Sequence, residues 1–121
     1  MKRMKKNTSD EGNECSKNHL MAVRDALEVL DGKWKLQILI SLLNGKKRFS
    51  QIAREIDGIS DRMLSKELKD LEEHELIKRT VYDDSPVLVE YTVLPYADTL
   101  DDVIKALYDW GTQHRKKILK K

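Results

Sequence analysis

The amino-acid sequence predicts a mainly helical chain with one small β-hairpin, an α+β arrangement. Three observations predict it: apolar residues recur at helical spacing in successive segments, two short helical segments meet at a turn containing glycine, and two β-branched runs flank a polar tip. A chain of 121 residues fits one domain with a single core.

Composition bounds the rest. Apolar residues make up 40% and charged residues 36% of the chain, and the longest apolar stretch, Leu36 to Leu43, is interrupted by Gln37 and Ser41. That is too short to span a bilayer. The basic start Met1-Lys2-Arg3-Met4-Lys5-Lys6 is followed by polar residues rather than by the apolar segment of a secretory signal, so a cytoplasmic protein is expected. The single cysteine, Cys15, excludes an intrachain disulfide framework and a metal site of several thiolates. A net charge of +2 is too small to signal nucleic-acid binding, which shows itself as a patch.

Residues 1–17 have almost nothing to bury and are expected to form a mobile arm, leaving 18–121 as the domain. Leu20, Val23, Leu27 and Leu30 then recur on one helical stripe over about 18–31, closed by Asp31-Gly32. From Lys33 to Leu43 the apolar residues surround nearly the whole helix, as at the buried centre of a domain; Asn44-Gly45 ends it. After Lys46-Lys47-Arg48, Phe49 anchors a short strand or turn, and Ser50 caps a helix carrying Ile52, Ala53 and Ile56. Asp57-Gly58-Ile59 is the turn, and Ser60 caps a second helix running to about His74. Ile77–Tyr82 and Val87–Val93 form the hairpin around Asp83-Asp84-Ser85-Pro86. A long helix from about Ala97 to 118 carries Leu100, Val103, Ile104, Leu107, Gly111, His114 and Ile118 on one face. The order is that of a winged helix-turn-helix with extra helices at both ends.

The helix from Ser60 is the most informative. At 100° per residue Leu64, Leu68 and Leu71 fall within about 60° of one another and face a core. Arg62, Ser65, Lys66 and Lys69 fall within about 100° on the roughly opposite side, a face free of carboxylates except for Glu73 at its far end. A DNA major groove admits one helix and is read by such donors from its N-terminal part. An ordinary solvated helix face also carries charges, so the weight comes from the setting: the face lies on the second helix of a pair, with a hairpin directly after it. At the hairpin tip Asp83 and Asp84 repel phosphate, leaving Ser85 and backbone amides as donors. Lys46, Lys47 and Arg48 are candidates for phosphate contacts at the domain edge, or else a solvated loop.

Asp31-Gly32-Lys33-Trp34-Lys35, Lys47-Arg48-Phe49-Ser50-Gln51-Ile52 and Gly58-Ile59-Ser60-Asp61-Arg62-Met63-Leu64, followed by Leu68, Leu71 and Glu72, resemble the HxlR-type winged helix-turn-helix regulators. Arg79-Thr80-Val81-Tyr82, Val89-Glu90-Tyr91-Thr92 and Trp110-Gly111 continue the resemblance, which covers about Val23 to Gly111. It implies a bacterial-type, MarR-like transcriptional regulator that dimerises through its first and last helices. Carried over by position, Ser60, Arg62, Met63, Ser65, Lys66 and Lys69 are the DNA-contacting candidates, with Arg79 and Ser85 as weaker wing contacts. The family's wing usually has a basic residue just ahead of the Val-Glu-Tyr; here Leu88 stands in its place.

A homodimer is also expected from the residues. Leu20, Val23, Leu27 and Leu30 on the first helix, and Val103, Leu107 and Trp110 on the last, offer more apolar surface than short helices cover, unless the two helices pack on each other within one chain. A two-fold dimer on double-stranded DNA implies a pseudo-palindromic operator with recognition helices roughly 34 Å apart. Some members of the family sense oxidants or electrophiles through a cysteine ahead of the first helix. Counted back from Trp34 that position falls near Met21, and Cys15 lies six residues earlier; it is either such a sensor or an incidental thiol. A small-molecule effector near Trp34, Tyr96, Tyr108 and Trp110 is a further candidate partner. His19, His74 and His114 accompany no nucleophile or carboxylate pair, so neither an enzyme, a metal site nor a cofactor is expected. The competing reading is a winged-helix module that docks a protein without binding DNA.

Overall fold

The leucines of the Ser60 helix organise the domain. The computed structural model describes residues 9–83 and 85–120, with side chains from Ser16 onward. Its elements are α1 (Ser9–Val29), α2 (Lys35–Leu43), α3 (Phe49–Glu55), α4 (Asp61–Glu73), β1 (Ile77–Tyr82), β2 (Leu88–Val93), a 3₁₀ turn over Pro95–Leu100 and α5 (Asp101–Leu119). This is the winged helix-turn-helix order with additional terminal helices. The chain divides into two compact units, one ending at Asp31 and one spanning Gly32–Lys121.

The first helix begins earlier than expected, at Ser9 rather than about residue 18; the residues before it lie outside the described residues. No proline interrupts Ser9 to Val29, and the helix runs through Gly12 and several residues of low helical propensity beyond its apolar stripe.

In the second unit Ile38, Leu39 and Leu42 of α2, Ile52 of α3, Leu64, Leu68 and Leu71 of α4, and Leu76 and Ile77 are fully buried. Ile40 and Leu43 are exposed, so α2 is buried on one side rather than around its circumference. The short helices cannot cover it all. α3 starts two residues earlier than predicted: Arg48, not Ser50, is its N-cap. Gln51 at the third helical position takes over the capping role, its Oε1 accepting from the Arg48 N–H at 2.8 Å. Phe49 accordingly opens the helix. Gly58 stands in the turn at φ +83°, a conformation open to glycine at little cost. Ser60 does cap α4, its Oγ accepting from the Met63 N–H at 3.1 Å.

α4 ends at a tight reversal. Glu75 has φ 60°, and the Leu76 N–H donates to the Leu71 carbonyl at 3.1 Å, the closure that usually places glycine in this position. It delivers Leu76 to the core and leads into β1. The strands pair antiparallel from Ile77↔Val93 to Tyr82↔Leu88. Lys47 ties the loop before α3 to this hairpin, its N–H donating to Tyr91 O at 3.0 Å and its carbonyl accepting from Tyr91 N–H at 2.8 Å. Ala97 to Leu100, predicted as helix, is the 3₁₀ turn with Ala97 buried; α5 follows and buries none of its residues.

Two substitutions test this packing by chemical denaturation. Leu68→Ala is expected to destabilise the chain by about 2–5 kcal/mol, whereas Glu75→Gly is expected to raise stability by about 0.5–1 kcal/mol by relieving the left-handed backbone. A Glu75→Gly protein less stable than the parent would contradict the second assignment.

Candidate nucleic-acid interface

Burial of Leu64, Leu68 and Leu71 turns the opposite side of α4 outward, where Arg62, Met63, Ser65, Lys66 and Lys69 are all exposed. The structure thus brings the predicted face together on one helix. Ser60 stands at its start with its hydroxyl oxygen engaged in the cap, which makes it a structural residue first. Besides Glu73 at its far end, which the sequence reading allowed, two further carboxylates border the face, Asp70 on one side and Glu72 on the other. The ammonium of Lys66 lies 3.3 Å from Asp70 and 3.4 Å from Glu67. The hydrogen bond to Asp70, and then its charge, raise the Lys66 pKa. Burial alone would push Asp70 up, but Lys66 and Lys35 outweigh it and hold that carboxyl below its usual range.

Behind this face lies a buried ion pair. Lys35 Nζ sits 3.1 Å from Glu67 Oε1, their side chains 4% and 5% exposed, and 3.4 Å from Asp70. Two ammonium groups and two carboxylates therefore join the start of α2 to the middle of α4. Sequence reasoning missed this network, although a signal existed: on the helical wheel Glu67 lies about 40° from Leu71, and a carboxylate on a leucine face needs a buried cation.

The cations of the domain edge divide. Lys47 is turned inward, its ammonium bonded to Glu55 and to Ser41 Oγ at 3.2 Å, and the Lys47 and Ser41 hydrogen bonds lower the Glu55 pKa. Lys46 is paired with Glu90 at 3.6 Å. Arg48 is exposed, with no ion pair among the described residues. On the wing Arg79 is exposed on β1 opposite Tyr91; Ser85 is exposed at the tip with Asp83, while Asp84 lies outside the described residues.

The remaining candidates belong to other segments of the chain. Leu20, at 68%, Val23 and Leu27 of α1 are exposed, as are Val103, Leu107 and Trp110 of α5; Leu30 is half-buried. Trp110 stacks on His114 at 4.9 Å. Tyr96 and Tyr108 are also exposed, and Trp34 is half-buried. Cys15 lies on α1, its side chain outside those described. Among the described residues no trio of His, Cys, Asp or Glu is placed to hold a metal, and no helix is long and apolar enough to cross a membrane.

A short helix pair whose second member turns a donor face outward beside a two-stranded hairpin defines a winged helix-turn-helix protein. Residues 29–118 match the HxlR-like helix-turn-helix family, and the chain belongs to that family. It is 37% identical over 102 residues to the HTH-type transcriptional regulator YtcD of Bacillus subtilis, covering 84% of this chain and 81% of that protein. Among solved structures, the redox regulator HypR in its reduced form superposes with a TM-score of 0.76 at 32% identity, over 83% of this chain and 99% of that one. The reduced form of the regulator YodB from B. subtilis gives 0.67 at 34% identity, over 74% and 88%. The chain is accordingly a helix-turn-helix transcriptional regulator, of a family of regulators rather than of enzymes.

The buried pair makes a clear prediction. Lys35→Met leaves buried Glu67 with only the exposed Lys66 as a cation and is expected to destabilise by about 3–5 kcal/mol, while Lys35→Met with Glu67→Leu is expected to recover most of that loss. A single variant as stable as the parent in urea unfolding would show that the pair does not hold α4.

Proposed function

We propose that the chain is a sequence-specific DNA-binding regulator that acts in the cytoplasm as a homodimer on a pseudo-palindromic operator. The observation that carries this is the outward face of α4, where Arg62, Ser65, Lys66 and Lys69 stand exposed at the N-terminal and central turns. Arg62 is free of ion pairs among the described residues and nearest the start of the helix, so it is assigned to base edges, with Ser60, Met63 and Ser65 beside it. Lys69, Arg48 and Arg79 are assigned to phosphates. Lys66 can exchange Asp70 for a phosphate, because Lys35 stays paired with both carboxylates it leaves.

The apolar stripes of α1 and α5 support the homodimer. Exposed leucine, valine and tryptophan at helical spacing are more than isolated surface residues, and a second copy offers the same chemistry to each stripe. The likeness to HypR, a redox regulator, supports an oxidant response, with Cys15 as the thiol. A small-molecule effector has less support, since Tyr96, Tyr108 and Trp110 stand open. A protein-docking module is disfavoured by the cation-rich composition of the exposed face.

Titration of the purified chain against a duplex library at two salt concentrations tests the reading. Arg62→Ala is expected to lose about 1–3 kcal/mol of binding to the selected site with little change on random duplex, and Leu107→Glu to give monomers in sedimentation and to weaken the site. Binding that does not fall with rising salt would point to a protein partner instead. Diamide treatment is expected to cross-link the wild type and not Cys15→Ser on a non-reducing gel; an unchanged pattern in the wild type removes the sensor assignment.

A further inference from the structure

Between α4 and the hairpin the surface dips into a cleft lined by Ser65, Lys69, Glu72, Arg79 and Tyr91. Ser65, Lys69 and Glu72 follow one another at helical spacing and form one wall. Arg79 and Tyr91 are directly paired across the strands and so share one face of the hairpin, the face on which Ile77 is buried in the core. The cleft is where this core runs out and the inner face of the wing becomes polar.

Two further features point to an anion. Lys69 and Arg79 carry no ion pair among the described residues, unlike Lys46, Lys47 and Lys66. Tyr91 is only 9% exposed, yet its hydroxyl has no hydrogen-bond partner among the described residues. No fully buried side-chain oxygen in the described chain lacks a partner, so this hydroxyl opens into the cleft.

We propose that the cleft seats one backbone phosphate of the DNA, held by the Arg79 guanidinium, the Lys69 ammonium and the hydroxyls of Ser65 and Tyr91. The inference rests on the DNA-binding reading above and adds that the wing grips DNA at its root rather than at its tip. A guanidinium fork matches the oxygens of a phosphodiester, and the site adjoins the helix assigned to the groove, along whose edges phosphates run. The tip, with Asp83 and no cation, is unsuited to the task. Glu72 on the cleft wall opposes the bound anion and moderates its affinity.

The test uses duplexes of the selected site in which a single phosphate at a time is replaced by an uncharged methylphosphonate, bound to the wild type and to Arg79→Gln, Tyr91→Phe, Glu72→Gln and Arg62→Ala. Wild-type binding is expected to fall at each phosphate the protein contacts, and by about tenfold at the one position per half-site that the cleft holds, the size of one charge-assisted contact. At that same position Arg79→Gln and Tyr91→Phe are expected to lose little more, since their contact is already gone. Arg79→Gln also lowers the salt slope by about one per subunit, and Glu72→Gln tightens binding. If Arg79→Gln and Tyr91→Phe bind as the wild type does, or keep its full methylphosphonate loss, the cleft is not a phosphate site. If no duplex binds, or Arg62→Ala binds as tightly as the wild type, the DNA-binding reading itself fails. Thermal unfolding of each variant separates loss of contact from loss of fold.

Discussion

The ion pair between Lys35 and Glu67 constrains everything the domain presents to a partner. Burying Leu64, Leu68 and Leu71 drives α4 onto the core, but apolar contact is non-directional and sets the rotation of a helix only loosely. A buried ammonium and carboxylate at 3.1 Å admit far fewer rotations. Each residue of slip turns the surface by 100°, enough to exchange the donor face for one of its carboxylate borders. We read the pair as fixing register rather than adding stability, the role in which buried charges are best attested.

The same pairing logic decides how much positive charge the interface has. The sequence shows a dense run at Lys46-Lys47-Arg48 and another along α4, yet Glu90, Glu55 and Asp70 hold Lys46, Lys47 and Lys66. Arg48, Arg62, Lys69 and Arg79 are without ion pairs among the described residues. A near-neutral chain can thereby still present cations without ion pairs beside α4 and the root of the wing. A surface so limited favours recognition by fitted contacts over a broad electrostatic field.

The periodicities that were legible in the sequence are those with a buried face. Leu64, Leu68 and Leu71 announced α4 and therefore its opposite side, and the β-branched runs announced the hairpin. What was not legible depends on partners distant in sequence. Nothing local to Lys35 distinguishes it from the exposed Lys33 two residues before, until Glu67 arrives from another helix to bury it. Lys47 reads as a phosphate ligand until Glu55 and Ser41 surround it. The cap of α3 passed from Ser50 to Arg48 because Gln51 could reach back, and α1 continued into polar sequence that has no core to betray it. Tyr91 reads as one more strand aromatic; pairing with Arg79 beside Lys69 gives its hydroxyl a place to act.

Affinity cleavage of the selected operator from an iron chelate on Lys69→Cys, in a Cys15→Ser background, tests most directly whether α4 enters the groove in a two-fold dimer. The account predicts two patches of cuts, related by a dyad and about one helical turn apart, with no comparable cutting from the same chelate on Lys105→Cys of α5. A single patch, or cutting that is as strong from α5 as from α4, would contradict it.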